Sequence, residues 1–259
     1  FFNSVPGQKP IKTFTGHTGI VLCATWSYDN RHVLSCGTDE TILRFDVNGA
    51  STTPVNTFNH HDDMVQKVAY RPDDPNVFVS ASADSTVKLW DCRRPDPQGT
   101  IYGLCAFSAV AFCPTADNLF LSCDQASGLL MWDLRKSFVA NHSLAGSLAS
   151  AQRTKKQALR AYRAVYRHRS GFLMSPEVSG IEFNSDGTIF VCSVRKCAPL
   201  VFRTAQENVW LECNAEQYSN KVTQKTASFI GNDEAYIACG SDDWGVYIWK
   251  LTDAVPSIG

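Results

Sequence analysis

No stretch of this 259-residue chain approaches eighteen uncharged apolar residues, so the sequence contains no candidate transmembrane helix and no membrane contact is expected. The first ten residues, FFNSVPGQKP, lack both the basic start and the apolar centre of a secretory leader. Ten cysteines are present, but no two are spaced as Cys-x-x-Cys, which argues against a zinc site. Cys23, Cys36, Cys113, Cys123, Cys192 and Cys239 fall in or beside apolar runs, as small buried side chains do in a reducing compartment. A disulfide framework is therefore not expected, and the nucleus or cytoplasm is the expected location. The chain also lacks a phosphate-binding glycine loop, a nucleophile elbow and a cluster of metal-ligating residues, so neither an enzyme nor a cofactor is expected. Acidic residues are missing from one whole region: between Arg135 and Glu177 there are nine Lys or Arg and no Asp or Glu. Because the net charge is only -1, the remainder is acidic, with 15 basic and 25 acidic residues. A positive segment on an acidic body is a candidate contact surface.

What the chain does have is a repeated pattern. Its 44% hydrophobic content and mean hydropathy of -0.16 fit a globular protein. Residues 77–94, VFVSASADSTVKLWDCRR, read as two alternating strands joined by a turn at Ala83–Ser85 and closed by Trp90-Asp91. Copies occur at 32–47, 119–136, 189–204 and 235–251, and their last large aromatics are Phe45, Trp90, Trp132, Phe202 and Trp249. The spacings are 45, 42, 70 and 47, so three of four match the length of one four-stranded propeller blade and the fourth contains an insertion. The expected fold is an all-β propeller occupying all or most of one domain over 1–259. Its units lie near 14–58, 59–100, 101–136, 170–213 and 218–251. The first unit is expected to open with a strand at 11–14, and the third to run through strands at 103–107, 109–113, 119–123 and 129–133.

Within the units a polar set recurs. His17, Ser35 and Asp39 in the first, and His61, Ser80, Asp84 and Trp90 in the second, can form a hydrogen-bonded chain that is tolerable in a core only if every member is paired. The same residue types make a Ser-His-Asp triad, but the serine lies in a strand without an oxyanion loop, and repetition of the set favours a structural role. The other units keep it in part. Asp124 partly replaces the structural Asp in the third, Lys196 stands near that position in the fourth, and in the fifth Cys239 stands near the serine position while Asp243 fits the Asp.

Residues 137–169 form a basic insertion whose section 147–169 has helix-favouring composition. At helical spacing Leu159, Tyr162 and Tyr166 would form one stripe, and Lys156, Arg160, Arg163 and Arg167 a basic one. This is either a solvated helix resting on the body or a surface for an acidic protein, with nucleic acid or anionic lipid as less favoured partners.

The Gly16-His17 start, the Ser-x-x-x-Asp turn and the Trp-Asp close resemble the WD-repeat family. Two closes, Trp90-Asp91-Cys92-Arg93 and Trp132-Asp133-Leu134-Arg135, look like the WDxR boxes of the WD-repeat substrate receptors of cullin-RING ubiquitin ligases, the DDB-and-cullin-associated-factor type. Residues 178–202 and 218–251 are similar to later blades of such receptors. The resemblance implies a seven-bladed ring of which five blades are visible here, against a closed five-bladed ring as the alternative. It implies a non-catalytic substrate-recognition subunit that docks on the ligase adaptor through Asp91, Arg93, Asp133 and Arg135, and an unknown protein substrate bound by the opposite or central face. There Arg195, Lys196, Asp242 and Trp244 are candidates for exposure. The alternatives are a general interaction scaffold of a nuclear, chromatin or RNA-associated complex, with Arg160, Arg163 and Arg167 as its contact residues, and simple intrablade salt bridges at both boxes.

Overall fold

A computed structural model describes residues 10–124, 126–138, 157–162, 166–167, 173–174, 177–222 and 225–251. Second-blade residues show how the repeat folds. β-Branched and aromatic side chains alternate along β5 (Val65–Arg71), β6 (Asp74–Ser82), β7 (Thr86–Asp91) and β8 (Gly99–Tyr102), which pair in chain order as an antiparallel sheet. The turn between β6 and β7 is built by Asp84, whose carboxylate accepts from the Thr86 amide at 2.8 Å and the Thr86 hydroxyl at 2.7 Å. Ser85 takes a left-handed φ of 66° there, and Glu40 and Trp244 do the same in two other blades.

The same four-strand order holds in the first blade, β1 (Val21–Trp26), β2 (His32–Gly37), β3 (Ile42–Asp46) and β4 (Asn56–Phe58). It holds again in the fourth, β15 (Val178–Phe183), β16 (Ile189–Val194), β17 (Leu200–Arg203) and β18 (Val209–Glu212). Three strands of the fifth are described: β19 (Ala227–Ile230), β20 (Tyr236–Gly240) and β21 (Val246–Lys250).

The third blade departs from expectation. Its strands are β9 (Phe107–Phe112), β10 (Leu119–Asp124), β11 (Gly128–Asp133) and β12 (Arg160–Tyr162), so its outermost strand comes from within the basic insertion. Residues 103–106 form no strand. The expected helix is not found at 160–162, where Arg160, Ala161 and Tyr162 pair with Met131, Leu130 and Leu129. Pairing with β11 satisfies the backbone, and Tyr162 is buried edge-on against Phe190 with ring centroids 4.9 Å apart. Tertiary packing thus overrides an alanine-rich helical preference. Farther along, β13 (Tyr166–Arg167) and β14 (Leu173–Met174) pair as a two-stranded ribbon. Residues 139–156 lie outside the described residues. Nor is 11–14 a strand: Phe14 instead packs tilted against Phe45 with ring centroids 4.8 Å apart, and the Thr15 amide reaches the Thr52 carbonyl at 3.1 Å.

Among the described residues the core is divided into four layers, one between each pair of consecutive blades. Leu34, Cys36 and Ile42 meet Val65, Val68 and Trp90; Val79, Val87 and Ile101 meet Phe107, Phe112 and Phe120. Beyond them Leu121, Leu129 and Tyr162 meet Phe190, Leu200 and Phe202, and Val191, Val201 and Leu211 meet Ala227 and Ile237. Each blade is therefore stabilised chiefly by its neighbours, as in other repeat architectures. The innermost strands β1, β5, β9, β15 and β19 touch in sequence, and no contact of comparable extent joins β1 to β19 among the described elements. Accordingly Val21 and Trp26 on the first blade and Val246 and Ile248 on the fifth are exposed apolar side chains. No helix among the described residues is long and apolar enough to cross a membrane.

Candidate protein-docking site

The site grows out of the polar chain that pins the second blade. His61 Nδ1 lies 2.6 Å from Asp84 and its Nε2 lies 2.7 Å from Ser80 Oγ, while the Trp90 indole donates to the same Oγ at 2.8 Å. Burial is the largest influence on His61 and lowers its pKa, so the ring is neutral: Nδ1–H donates to Asp84 and Nε2 accepts from the serine hydroxyl. Asp84 is pushed up by burial, but hydrogen bonds from His61, Thr86 and the Asp62 amide outweigh this and hold it at about 2. Ser80 is fully buried and its acceptor capacity is taken by an indole, which suits a tie within the blade rather than attack on a substrate. In the first blade His17 lies 2.8 Å from Asp39 and 2.7 Å from Ser35, and Phe45 replaces the indole.

Two further ties were not anticipated from the sequence. Trp132 donates to Ser122 at 2.8 Å without a histidine. In the fifth blade Tyr218 OH lies 3.3 Å from Cys239 Sγ, standing where a histidine faces a serine elsewhere, and the Trp249 indole turns to the Asn214 carbonyl at 3.2 Å. A signal existed, since Ser80 to Trp90, Ser122 to Trp132 and Cys239 to Trp249 are all ten residues apart. Asp124 caps its own turn through the amides of Ala126 at 2.8 Å and Ser127 at 2.6 Å.

The two boxes follow directly from the third strands of blades two and three, and they have the same geometry. Asp91 accepts from the Arg93 amide at 3.0 Å, from its Nε at 2.7 Å and from its Nη2 at 2.8 Å. Asp133 accepts from the Arg135 amide at 3.0 Å, from its Nε at 2.9 Å and from its Nη2 at 2.8 Å. Asp133 also caps the short helix α1 (Leu134–Ser137), whose buried Ser137 hydroxyl accepts from the Asp133 amide at 3.2 Å. In each box the arginine hydrogen bond is the main cause of a carboxylate pKa below its usual value. The acids are covered while the guanidiniums stay 62% and 67% exposed, so the outward lip of both boxes is a hydrogen-bond donor. Arg71 and Arg135, together with Asp91, line a groove of about 280 Å³ between these two blades.

The other expected contact residues lie apart. Trp244 sits in the turn between β20 and β21, at the strand ends opposite the boxes, 99% exposed and with a left-handed φ of 69°. Arg195 pairs with Glu177 at 3.1 Å, and Asp242 pairs with Lys225. Lys196, also left-handed, bonds through its amide to the Asn220 carbonyl at 2.6 Å. Arg160 turns inward to the Thr204 carbonyl, which also accepts from Tyr162 OH at 2.8 Å. Arg167 is placed on β13, and Arg163 lies outside the described residues.

The family described as "WD domain, G-beta repeat" matches residues 8–46 and 52–91, the two stretches that hold the first two polar chains. The chain belongs to the WD-repeat family. Its five antiparallel blades are a WD-repeat β-propeller arc, and over 94% of its length it is similar to a mouse protein, "DDB1- and CUL4-associated factor 5", at 34% identity. The human protein of that name is 33% identical over the same share of the chain. This WD-repeat chain spans 23% of the length of both relatives. A shorter similarity, 32% over 37% of the chain and 18% of the relative, links it to "Anaphase-promoting complex subunit cdc20" of Dictyostelium discoideum.

Proposed function

We propose that this WD-repeat chain is the substrate-recognition part of a cullin-RING ubiquitin ligase, docking through its two WDxR boxes onto the adaptor DDB1. The observation that carries this is the pair of matching Asp-Arg forks on consecutive blades, both with exposed guanidiniums, in a chain similar to a DDB1- and CUL4-associated factor. Each aspartate uses its two oxygens to fix its arginine, Asp74 lies 3.6 Å from Arg93 Nη2, and the exposed guanidiniums have little rotational freedom left to lose on binding. No chemistry on a substrate is assigned to the chain: it holds the target while the ligase acts. The target-binding surface is placed on the face away from the boxes, where Trp244 stands clear of the body and Lys196, Arg195 and Asp242 surround neighbouring turns. The nucleus or cytoplasm is the proposed location. The exposed apolar faces of the first and fifth blades support an arc that forms part of a larger, seven-bladed ring.

Calorimetric titration of the chain with purified DDB1 tests the docking. Wild type is expected to bind, and Arg93→Glu with Arg135→Glu to abolish binding while the thermal melt is retained. Unchanged affinity in the folded double variant rejects the assignment.

A further inference from the structure

The two boxes frame a groove that the docking proposal does not by itself require. Its floor is apolar, made by Val77 and Leu89 of the second blade and Leu134 of the third, with the edge of Trp90 beneath. Its rims carry Asp91 and Gln98 from one blade and Arg135 from the other. The walls are tied in place. The Arg71 Nε crosses between blades to the Asp117 carbonyl at 3.1 Å, the Leu134 amide bonds the Asn118 carbonyl at 2.8 Å, and the Gln98 amide bonds the Leu89 carbonyl at 2.7 Å. Arg94 holds the Gln98 side chain at 2.8 Å.

The flanking junctions are closed by arginines. In β3 the residue equivalent to Leu89 is Arg44, which is buried and spans to the second blade through the Asn76 side chain at 3.3 Å and the Pro75 carbonyl at 3.4 Å. Between the third and fourth blades Arg160 bonds the Thr204 carbonyl across the junction. Beside the Arg71 crossing, Leu89 therefore leaves open, between the two boxes, the space that Arg44 fills at the preceding junction.

Size and charge together define the occupant. At about 280 Å³ the groove lies at the lower end of small-molecule pockets, a volume suited to one side chain. Asp91 on the rim is engaged by Arg93, and Arg71 and Arg135 are the guanidiniums of the lining, so an incoming chain meets an apolar floor beside hydrogen-bond donors. We infer that the groove is the anchor of the docking face: it receives one aliphatic or aromatic side chain of the adaptor, carried on a segment whose backbone carbonyls or carboxylates face Arg93 and Arg135. This rests on the docking proposal above and adds the apolar half of the contact. Buried apolar anchors with a polar rim are where interface energy concentrates, so the groove sets affinity while the arginines set register.

The test is to fill the groove and leave the boxes intact. Leu89→Arg copies the natural filling at the neighbouring junction, and Gln98→Trp plugs the rim from a loop without altering the core. Titrated against purified DDB1, each is expected to bind about tenfold or more weakly than wild type. Leu89→Met keeps an apolar floor and is expected to stay within about threefold. A melt within about 4 °C of wild type identifies the folded variants, and Gln98→Trp decides the matter if Leu89→Arg does not fold. Wild-type affinity in folded Gln98→Trp overturns the groove, whatever the boxes do. If Arg93→Glu with Arg135→Glu abolishes binding while both filled variants bind normally, the docking stands and the anchor falls. If wild type does not bind DDB1 at all, the docking itself has failed.

Discussion

Trp90 and Asp91 are consecutive residues whose side chains serve opposite sides of one strand end. The Trp90 indole ends on Ser80 Oγ at 2.8 Å inside the blade, whereas the Asp91 carboxylate grips Arg93 at 2.7 Å outside it. Strand alternation forces this division, because neighbouring side chains point to opposite faces. Stability and the proposed docking are thus separable by mutation at adjacent positions.

Ser80→Ala removes the partner of two buried groups at once, His61 Nε2 and the Trp90 indole. Each orphaned group costs about 1–3 kcal/mol, so a loss of about 2–6 kcal/mol is expected in urea denaturation. Ser122→Ala orphans only the Trp132 indole and is expected to cost about half as much. Equal losses at the two serines would contradict the histidine's part in the tie.

Acid should weaken the fold in two stages. The folded pKa of His61 is depressed, chiefly by burial, so the unfolded chain binds its proton first and stability falls as pH drops below the ordinary value of 6.5. Asp84 is depressed from 3.8 to about 2: burial raises it, but its hydrogen bonds outweigh that, so its contribution is fully present above 3.8 and lost as pH falls towards 2. That second stage is worth about 2 kcal/mol. Urea midpoints measured between pH 7 and 2 check both stages, and Asp84→Asn should reduce the lower one, which Asp39, also held at about 2, shares.

The third blade shows where the sequence was legible and where it was not. Strand pairs around the Trp-Asp closes were readable because alternation, an aspartate turn and the close itself are local signals. The outer strand β12 was not, because Arg160–Tyr162 has no strand signature of its own and follows a long insertion. Leu159 and Tyr162 fall on one stripe if helical, but here Tyr162 is buried and Leu159 exposed. Tyr162→Ala is therefore expected to cost about 3–5 kcal/mol and Leu159→Ala less than about 0.5 kcal/mol, compared by chemical denaturation. Likewise the forks at Arg93 and Arg135 were visible as motifs, but the groove between them was not. It depends on Leu89 and Leu134 meeting across a blade junction, and no single repeat encodes that.

Exposed apolar faces at both ends of the arc carry a consequence for the chain in isolation. Trp26 on the first blade and Ile248 on the last are more than half exposed, and β21 is the last strand of its sheet among the described residues. Such surfaces associate. Sedimentation velocity is expected to show concentration-dependent self-association, reduced by Trp26→Glu with Ile248→Lys. A monomer at all concentrations would argue against these faces as binding surfaces for further blades.

Neutralising the acids of the boxes separates their two duties. Asp91→Asn loses a largely exposed ion pair, which is worth at most about 1 kcal/mol in stability. Asp133→Ala loses the same kind of pair and also the cap of α1, so it is expected to cost about 1 kcal/mol more in denaturation. For DDB1 binding the order should not follow stability. Either change frees an arginine to sample other rotamers, and about fivefold weaker binding is expected from each because the fork is no longer held ready. Arg93→Lys and Arg135→Lys should behave alike, since an ammonium cannot take the bidentate geometry even though its charge is kept. If binding instead tracked stability across these four variants, the boxes would be ties within their blades, and their exposed guanidiniums would have no part in docking.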